Sequence, residues 1–109
     1  MWLGLDVGSD ISLANAMARV IIHEGLADTQ FISRATTGYD DFARCVEAYT
    51  LERAERDTGV PAAAIKDVAL AYGRAKTGMI CWTLGITEHH NAPDNVLALL
   101  HPALPPGHV

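Results

Sequence analysis

Between Met79 and Asn95 the chain reads M-I-C-W-T-L-G-I-T-E-H-H-N-A-P-D-N, its densest run of chemically capable side chains. The Glu88 carboxylate is a strong acceptor for hydroxyl and N–H groups but a poor partner for phosphate. Thr87, together with backbone N–H groups, suits an anion. His89 and His90 invite a metal reading with Glu88 or Asp94, yet adjacent histidines in an extended loop point apart, and no H-x-x-x-H spacing is present. Ser9 or Ser12 with any histidine would sketch a nucleophilic triad. Neither serine lies in G-x-S-x-G, so capping or surface roles are the simpler reading. His23, His101 and His108 have no patterned partner and read as partly exposed structural residues.

The elements around this run say how it would be held. Met79 to Trp82 is a short bulky run, the pattern of a strand buried on both faces. Gly85 lets the backbone turn or approach a ligand where a Cβ would intrude. Pro93 fits the first turn of a helix and Asp94 suits its positive end. The expectation is strand, ligand-facing loop Thr83 to Ala92, then helix, an order that places ligands at the carboxyl ends of strands in open α/β sheets. Without further information, a polar connection of this kind is ordinarily just solvated.

Upstream, Trp2 to Leu5 has the character of a second short strand, closed by Val7-Gly8-Ser9. Asp10 then stands as N-cap of a helix to about Glu24, stopped at Gly25. Ile11, Ala14, Met17, Ala18, Val20, Ile21 and Ile22 cover more than one stripe of that helix and predict deep burial, against a sheet or another layer. Asp28 caps a short helix through Arg34. Asp40 or Asp41 starts another, through Ala48, with Phe42, Cys45, Val46 and Tyr49 inward. Thr50 caps Leu51 to Asp57, ended by Thr58-Gly59, and Pro61 opens a helix carrying Ile65, Val68, Ala69 and Tyr72, weakened at Gly73. A last helix, Asn95 to Leu100, stops near Pro102, whose ring would meet the carbonyl of Ala98.

Bulk properties restrict the function classes. A 109-residue chain with 50% hydrophobic and 6% aromatic residues fits one domain packed largely through close helix contacts. A net charge of -5, with eight dispersed Lys and Arg, argues against a nucleic-acid partner. The helix, glycine turn and helix of L-E-R-A-E-R-D-T-G-V-P-A-A-A-I-K has the outline of a helix-turn-helix. Its second helix offers Ala62, Ala63 and Ala64 where base-reading side chains belong. The apolar run Val20 to Ile22 falls far short of the roughly 18 residues of a membrane span, and no basic region precedes an apolar one at the N-terminus. The chain reads as soluble, unexported and cytoplasmic, with no membrane partner. Cys45 and Cys81, 36 positions apart, read as two small buried hydrophobes rather than a disulfide or metal pair.

The loop also carries a resemblance. L-G-I-T-E-H-H-N followed by D-N-V-L-A-L-L is similar to the corresponding loop and helix of molybdopterin oxidoreductases of the formate dehydrogenase type. G-S-D-I-S-L-A-N-A-M-A-R-V-I-I-H-E-G-L, T-G-Y-D-D-F, Y-T-L-E-R-A and D-T-G-V-P-A-A-A-I fall in the family's order. Essentially all 109 residues are covered, and they correspond to a small internal part of the family's catalytic (alpha) subunit. The resemblance implies an α/β fold, a mostly helical piece of a Rossmann-like parallel-sheet domain with two short strands, as one partial domain over 1–109 with an irregular tail at 102–109. It implies contacts from Gly85, Ile86, Thr87, Glu88, His89 and Asn95 to a bis-molybdopterin guanine dinucleotide, Glu88 meeting ribose hydroxyls or guanine N–H groups and Thr87 the pyrophosphate.

The family's chemistry is two-electron oxidation of formate at molybdenum, with electrons passed to iron–sulfur clusters. Its four-cysteine motif and its molybdenum-binding Cys or selenocysteine match nothing in this chain. The chain is therefore expected to be silent alone and to associate with the remainder of the catalytic subunit, or with itself, through exposed apolar edges. The sequence also departs from the family at Thr83, at Pro93 and where His101-Pro102 and Pro105-Pro106 interrupt an apolar run. The alternative is a catalytically inactive α/β structural or interaction protein that keeps the family fold.

Overall fold

One helix, α1 (Asp10–His23), forms the axis of the molecule, because its small residues let neighbours approach from several sides. Ala14, Ala16 and Ala18 are buried along with Ser12, Asn15, Val20 and Ile21, so short and bulky side chains alternate around its circumference. The computed structural model describes residues 1–108. Around α1 the chain adds α2 (Thr29–Ala35), α3 (Tyr39–Val46), α4 (Leu51–Thr58), α5 (Ala62–Arg74), a single-turn α6 (Leu84–Thr87) and α7 (Ala92–Leu100), which runs into a 3-10 turn at His101–Ala103. Helices α3, α4, α5 and α7 and the 3-10 turn all pack directly on α1.

Local chemistry accounts for most boundaries. The Asp28 carboxylate accepts from the Phe31 N–H at 2.9 Å and starts α2. The Thr50 hydroxyl accepts from the Arg53 N–H at 3.2 Å and starts α4. Gly59 ends α4 with φ 72°, a left-handed residue that a Cβ would strain. At the start of α1, Ser9 rather than Asp10 holds the N-cap position. Its hydroxyl donates to the Asp6 carbonyl at 2.5 Å, and Asp10 is the first helical residue. Helix α5 runs on through Gly73, where a Cβ would crowd Leu26 and Ile21 at 3.0 and 3.2 Å. The glycine lets α1 and α5 approach closely and repays its lower helix propensity in packing.

The main core joins Ala16, Ala54, Val60 and Ile65, with Leu3, Leu5, Leu13, Met17, Tyr49 and Leu51 against it. The radius of gyration is 13.1 Å, the value of about 13 Å expected for a packed domain of this size. Beyond α7, Pro102 and Pro105 are buried, the Asp28 N–H donates to the Pro105 carbonyl at 2.6 Å, and the His108 ring meets the Tyr72 ring edge-on at 4.8 Å.

The fold corrects the α/β expectation. Among the described residues there is no strand and no sheet; the molecule is helical, and the Rossmann-like pair of parallel strands is not seen. In Trp2 to Leu5, Leu3 and Leu5 pack inward against the core while Trp2 stays 88% exposed, but the segment forms no strand. The Asp6 N–H donates to the Thr58 carbonyl at 2.9 Å, so this end is tied to a helix terminus. Met79 to Trp82 is not buried on both faces: Met79 is 84% and Trp82 37% exposed. Strand character in side chains makes a strand only where a neighbouring backbone supplies hydrogen bonds. Cys45 and Cys81 are likewise exposed, not buried, and free.

Candidate cofactor-facing cleft

Two segments far apart in sequence meet at one end of α1. The first is the turn that leads into α1, including Asp6, Gly8 and Asp10; the second is the stretch from Ile80 through α6 to His89. They border an open cleft of about 620 Å³ whose floor is apolar, with Leu5, Leu13 and Leu99. Among the described residues no Lys or Arg lines it, and Asp6 and Asp10 give its rim a negative character. It therefore favours hydrogen-bond donors at the rim and a flat, partly apolar body within. An anion here would have to rely on backbone N–H groups and the positive end of α1.

The six residues singled out in the sequence fall into three situations. Gly85, Ile86 and His89 line the cleft. A Cβ built on Gly85 would meet nothing within 4 Å, and its φ is not positive, so neither packing nor backbone geometry in this chain explains the glycine. What the absent side chain leaves is open backbone facing the cleft. Thr87 is exposed at the end of α6 and its hydroxyl donates to the Leu84 carbonyl at 3.4 Å, leaving the oxygen available as an acceptor. Glu88 is exposed beside it, and among the described residues its carboxylate has no ion-pair partner.

Asn95 is different: it is 1% exposed, on the inner face of α7. Its amide donates to the Ile86 carbonyl at 3.3 Å and its carbonyl oxygen accepts from the Asn91 side chain at 3.2 Å. A buried amide with both ends engaged fixes its neighbours, and α6 is the neighbour fixed here.

Asp6, Gly8 and Asp10 entered the site unannounced. The signal was present in the sequence as a second turn leading into a helix start, G-S-D, resembling the Gly85 to Asp94 arrangement. Only the fold brings the two turns to the same end of α1.

Comparison with known proteins places the chain as a whole. No protein-family model matches the chain. A solved structure of acetylene hydratase from Pelobacter acetylenicus superposes with a TM-score of 0.95 at 26% identity, covering 100% of this chain and 15% of that one. The fold is thus that of a segment found inside a larger enzyme. Formate dehydrogenase H of Escherichia coli is 38% identical over 109 residues, and the alpha subunit of formate dehydrogenase 2 of Methanococcus maripaludis is 39% identical over 107. The alpha subunit from Methanocaldococcus jannaschii is 33% identical over 109. The chain belongs to the family of molybdopterin oxidoreductases of the formate dehydrogenase alpha-subunit type. It spans 15% to 16% of the length of these curated relatives.

Proposed function

We propose that this chain forms part of the site for a molybdopterin guanine dinucleotide in a formate dehydrogenase-like catalytic subunit, the cleft at the end of α1 taking the nucleotide end. The observation that carries the reading is Gly85, whose missing side chain opens backbone to the cleft while serving no packing need of its own chain. The donor set fits a guanine nucleotide. Asp6, Asp10 and Glu88 are acceptors for ribose hydroxyls or guanine N–H groups, and Thr87, the exposed backbone of α6 and the α1 terminus serve the pyrophosphate. Gly85, Ile86, Thr87, Glu88 and His89 are the proposed contacts, and Asn95 holds α6 in place behind them.

When bound, the molybdenum cofactor supplies the two-electron chemistry. The residues here bind and orient its nucleotide end. Formate is the proposed substrate, by analogy with the names of the relatives.

The proposed partner is the remainder of such a catalytic subunit. Relatives several times longer contain this segment, and Trp2, Met79, Leu84 and Leu97 present exposed apolar side chains that a longer polypeptide would cover. No helix among the described residues is long and apolar enough to cross a membrane.

Titration of the isotope-labelled chain with GMP is the direct test. The cleft covers only one side of a ligand, so affinity is expected on the order of millimolar. Amide signals of Gly85 to His89 and of Asp6 to Asp10 should move, and AMP should move them less. Shifts confined to other helices, or equal response to both nucleotides, would overturn the reading. The purified chain alone should not reduce an electron-accepting dye with formate.

A further inference from the structure

A second, smaller cavity lies away from the cleft and shares no residue with it. It occupies about 190 Å³ where the α2–α3 connection meets the 3-10 turn after α7. Phe42 and His101 form adjoining walls, their ring centroids 4.6 Å apart and their planes inclined at 51°. Ile32, Leu104 and Pro105 add apolar lining, and Thr37 and Tyr39 also border it.

Three properties narrow what would fit. Size comes first: an enclosed, dry cavity of ~150 Å³ lined by aliphatic and aromatic side chains accommodates benzene, and this half-open one of about 190 Å³ has room for a single six-membered ring with a substituent. Charge comes second. Among the described residues, no Lys, Arg, Asp or Glu lines the cavity, so neither an anion nor a cation would find compensation for its lost water.

Hydrogen bonding comes third. The Nε2 atom of His23 meets Glu47 and that of His108 meets the Tyr72 carbonyl. Among the described residues, the ring nitrogens of His101 meet no partner. Its burial also holds its pKa below the usual 6.5, which keeps the ring neutral and one nitrogen free to accept near neutral pH.

We propose that this cavity is a binding site for a small uncharged aromatic molecule carrying one hydrogen-bond donor, with the Phe42 and His101 rings as walls and a His101 nitrogen as acceptor. The inclined walls offer one face contact and one edge contact, the arrangement aromatic rings prefer to a sandwich. The site is independent of the nucleotide reading, and each fails on different residues.

Phenol, toluene, benzoate and benzylammonium are the probes, each titrated into the labelled 109-residue chain. Phenol should give saturating shifts confined to Gly38, Tyr39, Phe42, His101 and Leu104, with affinity on the order of millimolar. Toluene, equal in shape and lacking the donor, should bind several-fold more weakly, and the two charged probes should not saturate. H101F, which keeps a ring wall and removes the acceptor position, should bring phenol down to the level of toluene. Should that variant fail to fold, the phenol-to-toluene ratio on the unaltered chain still decides. Equal binding of phenol and toluene, saturation by benzoate or benzylammonium, shifts spread over other helices, or no saturating shifts with phenol would overturn the assignment.

Discussion

The helices from α1 to α5 and the stretch from Met79 to Asn95 both carry bulky apolar residues and spend them differently. In the first region Ile21, Val46, Ala54 and Ile65 are closed off from solvent, each against helices that are themselves closed by caps and turns. In the second, Met79, Trp82 and Leu84 stand in solvent, while the one fully buried polar side chain, Asn95, does the holding. A segment whose apolar side chains are unspent but whose polar anchor is buried is built to present a surface. The comparison locates stability in the first region and, in the second, the surface to which the proposed function assigns ligand contacts.

Substitution should separate the two most sharply at their apolar residues. Ile65→Ala removes a fully buried side chain between α4 and α5 and is expected to cost about 2 to 5 kcal/mol. Met79→Ala and Leu84→Ala, on exposed side chains, should stay within about 0.5 kcal/mol. Urea melts of the three variants measure this directly. A large loss for Met79→Ala would mean that the loop region shares the core and that the division is wrong.

The next effect tests the anchor. Asn95→Ala leaves the part-buried Ile86 carbonyl and Asn91 amide without their partner, so the cost should fall at the low end of the about 1 to 3 kcal/mol of a fully buried unmet polar group. Because α6 is a single turn, the loss should appear first as faster hydrogen exchange at Ile86 and Glu88 while the amides of α1 stay protected. Uniform acceleration throughout the molecule would instead make Asn95 a member of the general core.

What the sequence made legible follows the same division. Helix ends set by local chemistry were visible residue by residue: Asp28 and Thr50 as caps, Gly59 as a stop, and Pro93 in a first turn. The two strands were misjudged because short runs of bulky side chains do not report whether another backbone lies alongside. Leu3 and Leu5 satisfy their alternation against helices. Cys45 sat on a helix face that looked inward by spacing, but α3 is short, and only Val46 reaches full burial. In the candidate site, Gly85, Ile86 and His89 were legible as one loop, whereas the approach of Asp6 and Asp10 depends on the long-range packing of α1. Asn95 was singled out through the family resemblance. Its buried, doubly bonded state could come only from tertiary structure.

A smaller effect tests whether local capping contributes to the first region beyond its packing. Thr50→Ala removes the acceptor for the Arg53 N–H at the start of α4 and should cost about 1 kcal/mol, with Thr50→Ser near neutral. A thermal melt resolves a change of this size. If both variants melt with the parent protein, α4 is held by its burial against α1 and α5 alone.

The gentlest probe is acid, and it reaches the contact between α3 and the turn after α7 at a different pH from the carboxylates on the surface of the first region. His101 is held below its usual pKa of 6.5 by burial beside Phe42, so the unfolded chain binds a proton there more readily than the folded one. By linkage, stability is undiminished above about 6.5 and falls as pH drops from there through the lower folded value. The carboxylates act in a separate range. Glu47 is lowered by its hydrogen bond from His23, Glu24 by Lys66 and Asp57 by Ser12; their contributions are present above the ordinary carboxylate values and are lost as pH falls through the depressed ones. A stability profile should therefore begin to decline just below 6.5 and decline again in the carboxylate range. H101F should erase the first decline and leave the second, because a phenyl ring keeps the wall against Phe42 and has no proton to gain. Persistence of the upper limb in H101F would assign it to another group and remove His101 as the acid-sensitive contact between α3 and the turn after α7.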